Sequence, residues 1–438
     1  LFTIALYIII LSIACVSLFK PWIGVVASYT LIILNPQSIW WWYFQDIRPV
    51  LLVAIPTFIG FFFQLLKGNI KYKILLNKKN FWLAVLWFCF VFSYFFGPYV
   101  HAYSNIRPFD PWWLLSVVNN IFILYFLSCL CIDEVKKLKF LVGVIALSTI
   151  YFIFWANDQY LFQGQFGRIG GPNAPGSSSI YRDENAFAML FVTGLPFLYY
   201  LGYSFQNKLM RYGLWLAIPF GWHAIFLTGS RGGLLGMGVA LLIICIRSKN
   251  KLIGLFILCA AIFAYQWQAG SVMKERALTI NEYSTEGSAA TRLEAWSAAI
   301  QMIKNHPITG VGITSFIPAF GYYSSYRPRE AHNTFFQITA ETGIFGGIAY
   351  IMIIFLMLSE MLRNSRYLMS HNHNSGSEAL FLFLVNEAAL ASFAGMIVCS
   401  LFLSLHVYEI FYFLCLLVNC LSYLLRLHLH KLNFKILV

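Results

Sequence analysis

Three groups of polar residues in this chain have the types and spacing to do chemistry. Leu227-Thr228-Gly229-Ser230-Arg231-Gly232-Gly233 joins two apolar runs through a tight turn. Its glycines let backbone N–H groups approach a ligand closely, and its arginine is a planar, permanent cation suited to phosphate oxygens. The competing reading is an arginine that anchors a helix end by snorkelling. Next comes Thr291-Arg292-Leu293-Glu294-Ala295-Trp296, which with Ala298 to Ile303 has the spacing of an amphipathic helix lying near a membrane surface, Arg292 in its first turn. Glu294 is two residues away and faces elsewhere, so a salt bridge would need a partner such as Glu286, and exposed pairs of that kind stabilise little. A phosphate-facing role for Arg292 is the better reading. The third group is Ala331-His332-Asn333, ahead of Gln337 and Glu341, which are four apart and share a helix face. An imidazole with an ordinary pKa of about 6.5 suits a proton acceptor at neutral pH, but a lone histidine is more often a hydrogen-bonded structural residue. His306, in Asn305-His306-Pro307 before Gly310-Val311-Gly312, reads as part of a turn.

The elements that must position these residues are membrane-spanning helices. Of 438 residues, 60% are hydrophobic and only 11% charged, which excludes an ordinary soluble domain. Apolar windows of roughly 20 residues, the length that spans a hydrocarbon core as helix, predict an all-α polytopic membrane protein. The expected count is about 12–13 transmembrane helices, with 1–34 left open as one span or two. The runs are continuously apolar, unlike the alternating strands of a membrane barrel. Three regions follow: transmembrane helices over 1–268, a long polar outer-face loop over 269–342 where any chemistry is expected to lie, and transmembrane helices over 343–438.

Charge orients the bundle. Lysine and arginine cluster at 67–79, 136–139, 208–211, 247–251 and 363–366, each cluster two spans from the next, so these loops are read as cytoplasmic. The turn at 228–231 and the 269–342 loop then lie on the opposite face, where cations in short loops are normally sparse, which favours a function for Arg231. Lys274, Arg276, Arg327 and Arg329 do not disturb this, because long loops translocate largely regardless of charge. The net charge of +13 is thus mainly topogenic, and nucleic acid is not an expected partner. The first apolar run is too long for a typical signal-peptide core. All nine cysteines fall in or beside apolar runs and read as small core hydrophobes; His371 and His373 sit in a polar linker and read as solvated.

The order of Thr228-Gly229-Ser230-Arg231-Gly232, Arg292 with Trp296, His306-Pro307 with Gly310-Val311-Gly312, His332-Asn333, and Glu341-Thr342-Gly343 with Gly346 resembles the O-antigen ligase and polymerase superfamily of bacterial envelope glycosyltransferases. The similarity spans roughly residues 180–360. More weakly, Phe19-Lys20-Pro21-Trp22-Ile23-Gly24 and Asn35-Pro36 resemble exosortase-associated O-glycosylation ligases. The resemblance implies a multi-pass bacterial inner-membrane enzyme with its active site facing the periplasm. It implies that Arg231 and Arg292 hold the diphosphate of a polyprenyl-linked glycan donor, and that His332 serves a lipid or protein acceptor. Ligation to a lipid core, polymerisation and protein O-oligosaccharyl transfer share that donor, so the arginines do not separate them. A lipid-linked glycan transporter is the reading from another class, but transporters place substrate near the midplane, whereas these polar residues gather at one face.

A glycan on diphosphate already carries a good leaving group, so the enzyme must neutralise developing charge and deprotonate a hydroxyl. No cofactor is expected, and no metal, since the outer loops lack an Asp-rich cluster of hard-cation character. Arg182, Asp183 and Glu184 are possible substrate contacts, with Asp183 and Glu184 alternatively capping the following helix. Arg168 extends the cationic surface more distantly, and the glycine- and serine-rich 169–179 stretch reads either as a loop that closes over substrate or as a plain connector.

Overall fold

The computed structural model describes residues 2–44, 47–102, 106–107, 109–173, 179–248, 287–370, 377–404 and 407–436, together with Cys259 and Phe263. The span expected over 252–268, the first part of the polar loop with Glu286, Lys274 and Arg276, the 174–178 stretch and the 371–376 linker therefore lie outside the described residues, apart from Cys259 and Phe263. Among the described residues the chain is helical: α1 (Phe2–Phe19), α2 (Pro21–Leu34), α3 (Pro49–Leu66), α4 (Lys78–Phe96), α5 (Pro111–Cys131), α6 (Val135–Leu161), α7 (Glu184–Gly202), α8 (Lys208–Thr228), α9 (Arg231–Arg247), α10 (Gly287–Asn305), α11 (Phe316–Phe320), α12 (Thr334–Ser370), α13 (Ser377–Ser400) and α14 (Glu409–Ile436). Nine of the described helices are long and apolar enough to cross a membrane, which makes this an all-α polytopic membrane protein.

Residues 1–34 form two helices. Pro21 at the first position of α2 cannot extend α1, so the chain turns at Lys20. Ala27 and Leu31 of α2 pack beside Leu6, Tyr7 and Ile13 of α1, so the pair is an antiparallel hairpin. Helix α3 lies against it, with Gln64 Nε2 donating to the Phe19 carbonyl at 3.4 Å, and the turn that leads into α3 is held by the Tyr7 hydroxyl, which donates to the Tyr43 carbonyl.

Helix α7 is the centre of the bundle, buried along almost its whole length and packed against α6, α8, α9 and α13. Small residues allow the closest crossings, as expected where packing rather than water exclusion drives helix association. A Cβ on Gly236 of α9 would lie 2.7 Å from the Gly395 carbonyl oxygen of α13. The lysine-rich end is locked by buried ion pairs. Arg247 grips Glu387 with Nε and Nη2 at 2.7 and 3.1 Å, and Glu360 faces Lys79 at 3.7 Å and Arg426 at 2.8 Å. All nine cysteines are free thiols.

At the other end α12 is broken. Gly343 has φ 79° and ψ 179°, a backbone state that only glycine adopts readily. The break strands carbonyls that a continuous helix would satisfy, and segment 307–312 fills the gap. Val311 N–H donates to the Ala340 carbonyl at 2.8 Å and Gly312 N–H to the Glu341 carbonyl at 3.1 Å, while Ile344 N–H reaches the Pro307 carbonyl at 2.8 Å. Ser93 of α4 adds a 2.6 Å bond to the Glu341 carbonyl. The approach is backbone against backbone: a Cβ on Gly310 would stand 2.3 Å from the Glu341 carbonyl, and one on Gly343 2.4 Å from the Ile308 carbonyl oxygen. Arg107 secures the outside of this segment, with Nη2 on the Tyr99 carbonyl at 2.7 Å and Nη1 on the Thr314 and Ser315 hydroxyls at 2.9 and 3.1 Å.

Gly343→Ala should therefore cost about 1–3 kcal/mol from strain at positive φ alone, before the clash with Ile308. The control is Gly238→Ala in α9, where a Cβ meets nothing within 4 Å and the better helix propensity should slightly raise stability. Thermal melting of the two purified variants in detergent checks this. Equal melting temperatures would contradict the docking of 307–312 into the broken helix.

Candidate functional site

His332 lies just ahead of α12, a few helical turns before this break, in the left-handed backbone region with φ 47°. A non-glycine residue occupies that region at a cost, so its surroundings must impose it. Both flanking residues are held. Ala331 N–H donates to Gln337 Oε1 at 3.1 Å, and the Ala331 carbonyl accepts Trp296 Nε1 at 3.0 Å. Asn333 caps the first turn of α12, its Oδ1 accepting Phe336 N–H at 3.2 Å and its carbonyl accepting Gln337 N–H at 2.9 Å. Gln337 is fixed in turn, because its Nε2 donates to Glu341 Oε1 at 2.8 Å and that oxygen also accepts Phe316 N–H at 3.3 Å. The shared helix face expected for Gln337 and Glu341 is thus a polar strut beneath the histidine.

Arg292 lies in the second turn of α10, because the helix starts at Gly287. Its buried side, Ala295, Ala298, Ala299 and Met302, packs with Phe316, Phe320 and Ala340, which ties it to the same break. Glu294 accepts the Ser324 hydroxyl at 2.7 Å and takes no part in the cationic face. The Arg292 guanidinium carbon stands 5.9 Å from the centre of the Phe402 ring, a cation–π distance. Phe402 also packs against Gly232, where a Cβ would be 3.3 Å from that of Phe402. Phe402, in the 401–404 corner, therefore has Arg292 over its ring and Gly232, the residue after Arg231, against its Cβ. Thr334 pins this corner to α12 through a 2.7 Å bond to the Leu403 carbonyl.

Arg231 opens α9. Gly229 supplies the left-handed residue that ends α8, with φ 62°, and Ser230 caps α9 by accepting Gly233 N–H at 3.0 Å. Arg168 does not extend the cationic surface. Its Nε donates to the Thr228 carbonyl at 3.0 Å, Nη1 pairs with Glu184 at 3.4 Å and Nη2 reaches Asn185 Oδ1 at 3.4 Å, so it staples the 228–231 turn to the start of α7. Glu184 is engaged there. Asp183 caps α7, its Oδ1 accepting the N–H groups of Asn185 and Ala186 at 2.9 Å each. Arg182 is exposed in the turn Ile180–Arg182. The 169–173 part of the neighbouring loop is tied down, with Ile169 N–H on the Leu227 carbonyl at 2.9 Å and Gly171 N–H on the Tyr181 carbonyl at 2.6 Å.

Charge runs across this face. Burial, then the positive field of Arg292, pushes the His332 pKa below 6.5, with Asp183 partly opposing. Its imidazole is therefore neutral at pH 7, the form that can take a proton. Glu330, two residues earlier, moves the other way: burial and the neighbouring Asp183 carboxylate raise its pKa to about 7. The structure thus gathers His332, Arg292, Asp183 and Glu330 into one electrostatic neighbourhood, with Arg231 reached through the Phe402 corner. Glu330 and Phe402 are the two members that sequence reasoning misses. Glu330 sits in plain view in Arg329-Glu330-Ala331-His332, whereas Phe402 looks like any other apolar residue at the end of a span.

These features define a polytopic membrane protein with one concentrated polar site over a helix break. Residues 213–351 match the family model described as O-Antigen ligase, a stretch that runs from α8 into α12 and includes Arg231, Arg292 and His332. A Rickettsia felis protein described as "Putative polysaccharide ligase" is 23% identical over 344 residues, covering 73% of this chain and 76% of that one. Both similarities point to the O-antigen ligase superfamily and support a ligase-like role in glycan transfer.

If Arg292 contributes to holding His332 neutral, Arg292→Gln should raise the His332 pKa. The imidazole resonance, assigned by its loss in His332→Gln, should then titrate at higher pH than in the parent protein. An unchanged titration midpoint would show that the two side chains do not sense one another.

Proposed function

We propose that the protein is a membrane glycosyltransferase that moves a glycan from a polyprenyl diphosphate to an acceptor at the periplasmic face of the bacterial inner membrane. The observation that carries this reading is that Arg292 and the Arg231-Gly232 step that opens α9 both meet Phe402, Arg292 over its ring and Gly232 against its Cβ, on the same face as a neutral His332. Two guanidinium forks suit a diphosphate, whose oxygens accept paired N–H bonds. The charge pattern of the loops supports the side, since the lysine-rich clusters lie at the other end of the bundle.

The reaction follows from these parts. An acceptor hydroxyl oxygen bonds to the anomeric carbon as the bond from that carbon to the diphosphate oxygen breaks. The hydroxyl proton passes to the His332 imidazole, and the negative charge gathering on the departing diphosphate is met by the two arginines. Asp183, which already acts electrostatically on His332, stabilises the imidazolium that results. Arg182, exposed in its turn, and Glu184 are the candidates for contacts to the glycan. The acceptor is a lipid or protein hydroxyl, and the chemistry needs neither cofactor nor metal.

Transfer assays with purified enzyme test the assignment. Arg231→Ala or Arg292→Ala should each lower turnover by about 10²–10³-fold, the usual cost of losing a group that meets developing charge. Arg→Lys should rescue poorly, because the bidentate fork is lost. His332→Ala should suppress transfer while donor affinity survives, and His306→Ala, which only packs its ring against Tyr99, should do much less. Wild-type turnover in both arginine variants would refute the diphosphate grip. Loss of donor binding with intact turnover of bound donor in His332→Ala would refute the acceptor role.

Metal independence is a separate expectation. Activity should persist in excess chelator. Activity lost in EDTA and restored by magnesium or manganese would transfer attention to Asp183 and Glu184.

A further inference from the structure

A groove of about 600 Å³, open along one side, runs between α2 and α6 on the flank of the bundle. Its walls are single helix faces. Val26, Thr30 and Leu34 recur every four residues on α2, opposite Phe140, Gly143 and Leu147 at three- and four-residue steps on α6. From Lys136 to Tyr151 the α6 wall rises roughly 22 Å at helical pitch, most of a hydrocarbon core about 30 Å thick. The lining is suited to an alkyl chain: it is overwhelmingly apolar, and the Thr30 hydroxyl is spent on the Val26 carbonyl at 2.9 Å. Gly143 keeps the groove open, since a Cβ there would meet nothing within 4 Å.

The groove is also polarised. Lys136 and Lys139, both exposed, line its mouth at the lysine-rich end of the bundle. Lys139 is steadied by the Phe381 ring of α13, with its ammonium 5.3 Å from the ring centre. Trp22 of α2 and Phe140 of the groove wall, ring centres 5.5 Å apart, form an aromatic pair near the lysine-bearing end of the groove, a type of residue enriched at membrane interfaces. A second apolar cavity, about 390 Å³ between α2, α3, α5 and α14, shows the contrast: it is lined by Glu409 and by no lysine or arginine.

We infer that the α2–α6 groove is a binding site for one anionic glycerophospholipid of the lysine-rich leaflet, its acyl chain along the groove and its phosphate on Lys136 and Lys139. Clusters of basic residues at that depth attract anionic headgroups, and an apolar slot beside them converts a diffuse attraction into a seat for one molecule. The site is remote from the 331–343 region and does not depend on the glycan-transfer reading.

Native mass spectrometry of the full-length protein, exchanged into phosphatidylglycerol or phosphatidylcholine, tests the inference. The parent protein should retain one phosphatidylglycerol more tightly than any phosphatidylcholine, and high salt should erase the preference. Lys136→Gln and Lys139→Gln should each weaken phosphatidylglycerol retention about fivefold and leave phosphatidylcholine unchanged. Gly143→Leu has room for its side chain and gains helix propensity, so it should fold, fill the groove and displace lipids of both kinds. An unaltered melting temperature and a single elution peak confirm that each variant is folded. Equal retention of the two lipids by the parent protein, or parental lipid retention in folded Gly143→Leu, would overturn the inference.

Discussion

The docking of segment 307–312 into the broken end of α12 is the constraint on which the rest of the polar face depends. A break in a helix at the membrane boundary leaves carbonyls that the bilayer cannot hydrate, and an unsatisfied backbone group there costs several kcal/mol. Val311, Gly312 and Ser93 meet those carbonyls, and glycines at 310, 312 and 343 make the approach possible. Once the break is fixed, the first turns of α12 have a fixed direction. Glu341 and Gln337 then carry that direction to Ala331, so the hydrogen-bonded chain that begins inside the bundle ends at the residue before the left-handed His332.

Electrostatics divides the molecule between its two ends. At the lysine-rich end, carboxylates such as Glu387 and Glu360 neutralise arginines and a buried lysine, and the charges serve the architecture. At the other end two arginines change roles according to their partners. Arg107 and Arg168 are surrounded by protein acceptors and act as staples, whereas Arg292 presents its charge across Phe402 toward His332. That difference separates cations held by the fold from those the proposed donor diphosphate would use, and no count of positive residues would reveal it.

Much of this was legible in the residues alone. Helix class and most span positions follow from long apolar runs, and the turn at Gly229 follows from its glycines, whereas the break at Gly343 inside α12 is seen only in the structure. Arg231, Arg292 and His332 stand out because polar residues are scarce in this chain. What the sequence does not carry is contact across distance. Nothing in the spacing says that Phe402 will separate Gly232 from Arg292, or that Arg168 will be spent on the α7 cap rather than on a ligand. Arg292, expected in the first turn of its helix, lies in the second because Gly287-Ser288-Ala289-Ala290 extends α10 toward the N-terminus. Whether 1–34 crosses once or twice depended on Pro21, whose ring ends α1 and lets α2 fold back against it.

The account stands or falls on where the diphosphate sits. A structure of the His332→Ala protein determined by electron cryomicroscopy with a polyprenyl diphosphate bound would locate the two phosphorus atoms directly. The geometry here predicts them at the Phe402 corner, with oxygens about 2.7–2.9 Å from guanidinium nitrogens of both Arg231 and Arg292, the distance of charge-assisted bonds. A diphosphate bound out of reach of both arginines, or beside the lysines at the opposite end of the bundle, would contradict it.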